Sequence, residues 1–521
     1  MQAVKNSNQV SRPSQQDMLP AEECRSESAV LTLTMTAVVL NLPAGEADWL
    51  YPRVPIDALP DNVLLETFEF YLGKDAADLI DDEYNYDGWQ TLVHVCRRWR
   101  CVVFASPRRL DLKLHCTRRR SVTSKTLNIW PELPIVVYVK HTESEEDVAN
   151  IITSLRQHNR VCKIYYEQFI DSLLEEFAAI DEPFLALTSL KLFSVGKNVP
   201  VLPDSFLGGS APLLQSLHLH GIPYPSIGNL LSSTTNLVRL SLWRIPHSGY
   251  LSPETIVPCL SMLPQLKSLS LGSQYPRSRA HRAIQNLPLL TRVVFPNLAF
   301  LEYSGNVEYL EDVLSQIESP MLNESHFWFF NQLIFDTPQL GHFIRRTEAF
   351  MTVHTARVEF SGLSVGLTLS GREEKANNDR EALQMEITCK PLDWQLSALA
   401  QILDPFLSSL ATLESLEVVV FRKDWPGEIE VVQWRECLQP FTSVKDMTLE
   451  FEDSIQLIFP ALQELAVQRA TEVLPGLQNI FLRTDWQPSG PVKEAIKQFI
   501  AARQLYGRPV TVHYQATESE E

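Results

Sequence analysis

One arrangement of apolar positions returns repeatedly along this chain: an apolar residue, two others, an apolar residue, one other, and a third apolar residue. It reads Val161/Ile164/Tyr166, Leu187/Leu190/Leu192, Leu214/Leu217/Leu219, Leu237/Leu240/Leu242, Leu266/Leu269/Leu271 and Leu298/Leu301/Tyr303. It returns as Leu413/Leu416/Val418, Val444/Met447/Leu449 and Leu477/Ile480/Leu482. The last two positions of each unit sit two apart, the period of a strand with one buried face. Within each run the units follow one another at 23 to 33 residues, enough for a strand and a return segment. A unit that small cannot bury its apolar side alone, so neighbours must stack.

Asp171 to Ile180 and Ile256 to Leu263 carry helical spacing, so helices are predicted on the outer side of the strands. The expected fold is α/β: an irregular leucine-rich-repeat solenoid over residues 117–513, with a curved sheet and helices on its convex side. The usual post-strand Asn or Cys is missing, so no inner asparagine ladder is expected. Between about Gly305 and Leu410 the template fades. Alternation in Val353 to Phe360 and Leu383 to Cys389 predicts degenerate repeats there, with Gly362 to Ala382 as a loop excursion. Where the template leucines point inward, Lys191, His218, Ser241 and Ser270 point out, as do Phe193, His220 and Trp243 one step further along. Phe193, His220 and Trp243 fall on neighbouring rungs and are the candidate substrate-binding residues, because grouped exposed aromatics anchor bound proteins.

The N-terminal part follows a different period. Pro60 suits the opening of a helix, and Val63, Leu64, Phe68, Tyr71 and Leu72 then fall on one face. A second stripe steps through Trp89, Leu92, Cys96, Trp99 and Val103, widened by Val95 and Val102, with His94, Arg97, Arg98 and Arg100 on the solvent side. Ser106-Pro107 ends that helix, and Leu110, Leu112, Leu114 and Cys116 alternate like a strand. Between the two stripes runs an acidic segment, Lys74 to Gly88. Residues 1–54 read as a flexible tail and linker, 55–116 as a helical module, and 514–521 as an acidic tail.

Leu59-Pro60-Asp61-Asn62-Val63-Leu64-Leu65-Glu66-Thr67-Phe68 followed by Val95-Cys96-Arg97-Arg98-Trp99-Arg100 resembles the F-box family, over about 60 of the 521 residues. With repeats after the box, the whole chain looks like the large F-box families of fungi. The resemblance implies a box that packs on a Skp-type adaptor, which hangs on a cullin scaffold of a ubiquitin ligase, while the region after the box holds the substrate. The matching positions, hence the implied adaptor-binding residues, are Leu59, Pro60, Val63, Leu64, Phe68, Val95, Cys96 and Trp99. The longer, acidic stretch between Leu72 and Trp89 departs from the family norm. An alternative is a scaffold that binds the adaptor without presenting substrates.

A net charge of -18 argues against nucleic acid as the partner, since a phosphate-binding surface needs excess Lys and Arg. The run from Arg97 to Arg120 is either a nuclear import signal or a solvated face balancing Asp75 to Asp87. Eight scattered cysteines without a CxxC pair read as reduced and intracellular, in cytoplasm or nucleus. The apolar run Ala29 to Leu40 is too short to span a membrane. No GxSxG elbow, HExxH or phosphate-binding Gly-rich loop is present, so neither an enzyme nor a cofactor is expected. His218 and His220 share a strand face but lack further ligands for a metal.

Overall fold

The computed structural model describes residues 56–72, 88–116, 127, 132–139, 145–167, 171–194, 196, 199, 201–274, 292–372, 379–389, 392–406, 413–421, 431–469, 473–484 and 489–515. The expected tail before Ile56, the acidic segment 73–87, Arg118 to Arg120 and residues 516–521 lie outside them. The chain forms two compact units, Met1–Pro60 and Asp61–Glu521. Of the first, Ile56–Ala58 is a single turn of 3-10 helix, after which the Leu59 amide donates to the Ile56 carbonyl at 3.2 Å.

The second unit opens with three helices, Asp61–Leu72 (α1), Gly88–Val95 (α2) and Arg97–Ala105 (α3). Sequence periodicity predicted one helix where the protein has α2 and α3. The break is Cys96, whose backbone is extended (φ -156°, ψ 171°) and whose Sγ accepts from the Trp99 amide at 3.4 Å. Cys96 thus serves as the N-cap of α3, the place where a helix has unsatisfied N–H groups to offer.

Strands then follow in sequence: Leu114–Cys116 (β1), Ile135–Val139 (β2), Val161–Tyr166 (β3), Ser189–Phe193 (β4), Ser216–His220 (β5), Arg239–Ile245 (β6), Ser268–Ser273 (β7), Val293–Val294 (β8) and Phe300–Gly305 (β9). The series continues with Ile317–Glu318 (β10), Glu324–Phe329 (β11), Val353–Phe360 (β12), Ser364–Arg372 (β13), Asp379–Thr388 (β14), Ser415–Val420 (β15), Asp446–Glu450 (β16), Asn479–Arg483 (β17) and Thr511–Gln515 (β18). Sixteen of them form one sheet in the order β1-β2-β3-β4-β5-β6-β7-β9-β11-β14-β13-β12-β15-β16-β17-β18, and β8 pairs β10 separately. The fold is mixed α/β, a large curved sheet with helices, compatible with a leucine-rich-repeat-like solenoid. β1 joins this sheet although it falls within the expected helical module, and β18 runs to Gln515, past the expected boundary at 513.

The template leucines make the core. Leu190, Leu217, Leu240, Leu269 and Leu301 pair in parallel register across β4, β5, β6, β7 and β9, and all are buried. Each such burial contributes roughly 1.5–3 kcal/mol. Return helices differ from unit to unit. The unit starting at Leu214 has room for the five-residue helix Ile227–Leu231, whereas the longer unit starting at Leu237 holds the eight-residue helix Pro253–Leu260.

Polar side chains bind successive turns together where an asparagine ladder is missing. Asn236 Nδ2 donates to the Pro212 carbonyl and Asn297 Nδ2 to that of Pro264, at 3.2 and 2.8 Å. Arginines do the same at three turns: Arg160 bonds the Leu133 carbonyl, Arg346 those of Leu314 and Ile317, and Arg503 those of Leu474 and Leu477. The buried Glu311 accepts from the Gln339 and Leu340 amides, both at 2.8 Å, and so caps the helix Pro338–Arg346 of the next unit.

The faded middle of the template is a change of topology. β12 and β14 stand where alternation predicted strands, but the expected loop Gly362 to Ala382 holds β13 and the start of β14. β13 pairs antiparallel with β12 and β14, while β14 continues β11 in parallel and β12 continues into β15 in parallel. A hairpin is therefore wedged between β11 and β12. β11 escaped the template because Ser325 stands at the position where Leu301 stands in β9.

Candidate functional site

Two surfaces carry the sequence-derived candidates. In the first, packing separates the implied adaptor-binding residues into interior and surface. Leu64 is fully buried and Phe68 nearly so, with its ring 4.7 Å from that of Trp99, which is 8% exposed. Val63 and Cys96 are half-buried, while Val95 is 42% exposed. In the preceding unit Leu59 is half-buried and Pro60 exposed. Leu64, Phe68 and Trp99 hold the helices together, which leaves Val63, Val95 and Cys96 as the matching side chains of the second unit with open surface.

Ion pairs fix the helices further: Arg98 with Asp61 at 2.7 Å and Arg109 with Glu69 at 3.2 Å. The Trp89 indole N–H donates to the Lys113 carbonyl at 3.0 Å, tying α2 to the approach to β1. Phe70 is 90% exposed and Tyr71 is exposed beside it. Helical spacing put Tyr71 on the buried face and passed over Phe70; the strongest apolar exposure in α1 is invisible to a pattern that sorts apolar residues inward.

The second surface is the face of the sheet opposite the leucines. Register places Phe193 beside His220 and His220 beside Trp243, as strand alternation predicts, and all three are half-buried. The ring run starts earlier than the sequence suggested. Tyr138 stacks on Tyr165 at 4.9 Å, Tyr165 meets Phe193 at 5.7 Å, and Phe193 stacks on His218 at 4.7 Å. The signal for Tyr138 and Tyr165 was their place in alternating runs, Ile135 to Val139 and Val161 to Tyr166. Lys191 and Ser241 share the face half-buried, while Ser270 is buried.

Burial, then His220 and Lys191, push the His218 imidazole down to about 4, and burial with Arg244 lowers that of His220. Both are neutral near neutral pH, so the stacked rings themselves carry no charge, while the cations Lys163, Lys191 and Arg239 share the outward positions of these strands. Trp243 is also placed by a distortion: the β6–β7 register slips between Leu242 and Ile245, and Arg244 takes a left-handed φ of 50°. Such bulges re-aim side chains and cluster at sites.

Further along, the face becomes ionic. Arg357 on β12 reaches Glu359 at 2.5 Å, Glu417 at 3.0 Å and Glu450 at 3.2 Å, and Arg483 on β17 reaches Glu450 at 2.9 Å and Glu417 at 3.4 Å. Burial alone would lower the Arg357 guanidinium, but the hydrogen bond of Glu359 with the charges of Glu450 and Glu417 raises it above its ordinary value.

Among the described residues no group of three or more His, Cys, Asp and Glu could hold a metal ion, and no helix is long and apolar enough to cross a membrane. His218 and His220 stack at 6.5 Å. The seven described cysteines form no disulfide with one another.

No protein-family model matches the chain, and no curated protein does. Among solved structures it is similar to the leucine-rich repeat-containing protein LegL7 from Legionella pneumophila. That match has 16% identity over 65% of this chain and 96% of that one, with a TM-score of 0.26, too low to carry an argument.

Proposed function

We propose that the protein is a non-catalytic receptor subunit: the α1–α3 region with Leu59 and Pro60 docks on a Skp-type adaptor of a cullin ubiquitin ligase, and the open sheet face holds the target protein. The observation that carries the target-binding half is the aromatic run Tyr138, Tyr165, Phe193, His220 and Trp243 on five consecutive strands, each side chain half-exposed. Rigid aromatic side chains give large contact area at low entropic cost, which is what a protein-binding surface needs. The docking half rests on the resemblance of Leu59 to Phe68 and Val95 to Arg100 to the F-box pattern, together with the exposure of Pro60 and Val95.

The test is co-expression of the full chain with a Skp-type adaptor. The wild type is expected to co-purify with it, and Val63→Asp combined with Val95→Asp to lose it while the melting temperature holds. Leu64→Asp is unsuited, because a carboxylate at a fully buried position unfolds the helices first. Phe193→Ala with Trp243→Ala is expected to keep the adaptor and lose the target. A wild-type chain that binds no adaptor refutes the ligase reading; an adaptor-bound chain whose captured target is never ubiquitinated makes it a scaffold.

A further inference from the structure

Where the aromatic run meets the ionic part of the face, two tryptophans distant in sequence form a corner. Trp243 on β6 and Trp328 on β11 stand 5.7 Å apart with their planes at 87°. The strands between them carry Gly272 and Ser304 at that level, and Ser304 pairs with Trp328. The small residues make the approach possible: a Cβ at Gly272 would lie 2.9 Å from Cε3 of Trp243. Both indoles are half-buried and so keep ring surface open.

Carboxylates border this corner. The Trp328 indole N–H donates to Oε2 of Glu386 at 3.1 Å, and Glu302 lies on β9 beside His326, whose ring is 5.6 Å from Trp328 at 89°. Neither Glu302 nor Glu386 forms an ion pair among the described residues, unlike the acids around Arg357. Two unneutralised carboxylates beside perpendicular indole faces, in a chain of net charge -18, describe a place for a cation. A guanidinium suits it better than an ammonium, since it stacks flat on an indole while its in-plane donors reach a carboxylate.

We propose that this corner binds an arginine side chain of the target protein, and that the target segment lying on the sheet face is basic. This rests on the sheet face being the target-binding surface and adds the chemistry of what it takes. The neutral state of His218 and His220 suits it, because neither ring then repels the cation.

The test is a tryptophan-fluorescence titration of the full chain, at physiological ionic strength, with a short Gly/Ser peptide carrying three arginines. Its counterpart has citrulline, which keeps the shape without the charge. The arginine peptide is expected to bind at least about tenfold more tightly, and Glu302→Gln with Glu386→Gln to remove most of that difference. The Glu386→Gln side chain keeps an oxygen for the Trp328 indole, so the fold is preserved. Glu175→Gln with Glu176→Gln, equal in charge and placed on an exposed helix face, is expected to change binding less than about twofold.

Equal binding of the arginine and citrulline peptides, or equal losses from the two glutamate pairs, overturns the proposal. If the peptides bind alike while Phe193→Ala with Trp243→Ala still abolishes target capture, the binding surface stands and the arginine assignment falls.

Discussion

The two ends of the sheet face solve the same problem with different chemistry. From β2 to β6 the outward rungs carry stacked rings, and the histidines among them are kept neutral by burial. From β12 to β17 they carry three glutamates threaded by Arg357 and Arg483. Beneath both lies the same layer of buried aliphatic side chains, Leu217 and Leu240 at one end, Leu416 and Leu449 at the other. The difference shows that the core template fixes the strands while the outward positions are free to vary. An open aromatic rung has ring surface to offer a partner, whereas each glutamate of the Arg357 cluster is already paired with an arginine.

The comparison requires the core to be equally strong under both ends. Leu217→Ala and Leu449→Ala are each expected to cost about 3 kcal/mol in denaturant unfolding. A much smaller cost at either end would mean that the layer is not shared.

The aromatic end should be the acid-sensitive one. His218 has a folded value of about 4 against 6.5 for the free side chain, so the unfolded chain takes up the proton first as pH falls. Stability contributed above pH 6.5 is lost between pH 6.5 and 4, up to about 3 kcal/mol. His218→Phe is expected to flatten the pH dependence of unfolding in that window. Hydrogen exchange should place the change in β4 to β6.

The ionic end should be the salt-sensitive one. Arg357→Met removes the ion pair of Glu359 and leaves Glu417 and Glu450 to share Arg483 alone, and is expected to cost about 2 kcal/mol at low salt, after allowing for partial exposure. Raising ionic strength from about 0.1 to about 1 M should shrink that cost. The smallest effect is expected of Phe193→Ala, about 1 kcal/mol in stability, against a clear loss of target capture.

Legibility in the sequence followed the range of the interactions. The rungs carrying Leu190, Leu217, Leu240 and Leu269 were readable because a buried strand face writes itself as a period of two within a few residues. Phe193, His220 and Trp243 came with them, since a known inward set defines the outward one. In the N-terminal helices the same logic gave the stripe through Trp89, Leu92 and Trp99, but it could not tell core from exposed surface. A leucine that packs inward and one that awaits a partner look alike, and only packing made Leu64 the first and left Val95 exposed. Cys96 was hidden for another reason: a capping side chain one residue wide does not disturb the helical count on either side.

By itself, then, the sequence determined the α/β repeat pattern, the identity of the buried row and the face of α3, all consequences of local periodicity. Tertiary structure alone decided the hairpin wedged between β11 and β12, which puts Trp328 beside Glu386, and the parallel row β12-β15-β16, which lets Arg357 meet Glu450 from a different repeat. Those pairings depend on which strands lie side by side, and lateral neighbours in a sheet are chosen by the burial of the whole layer.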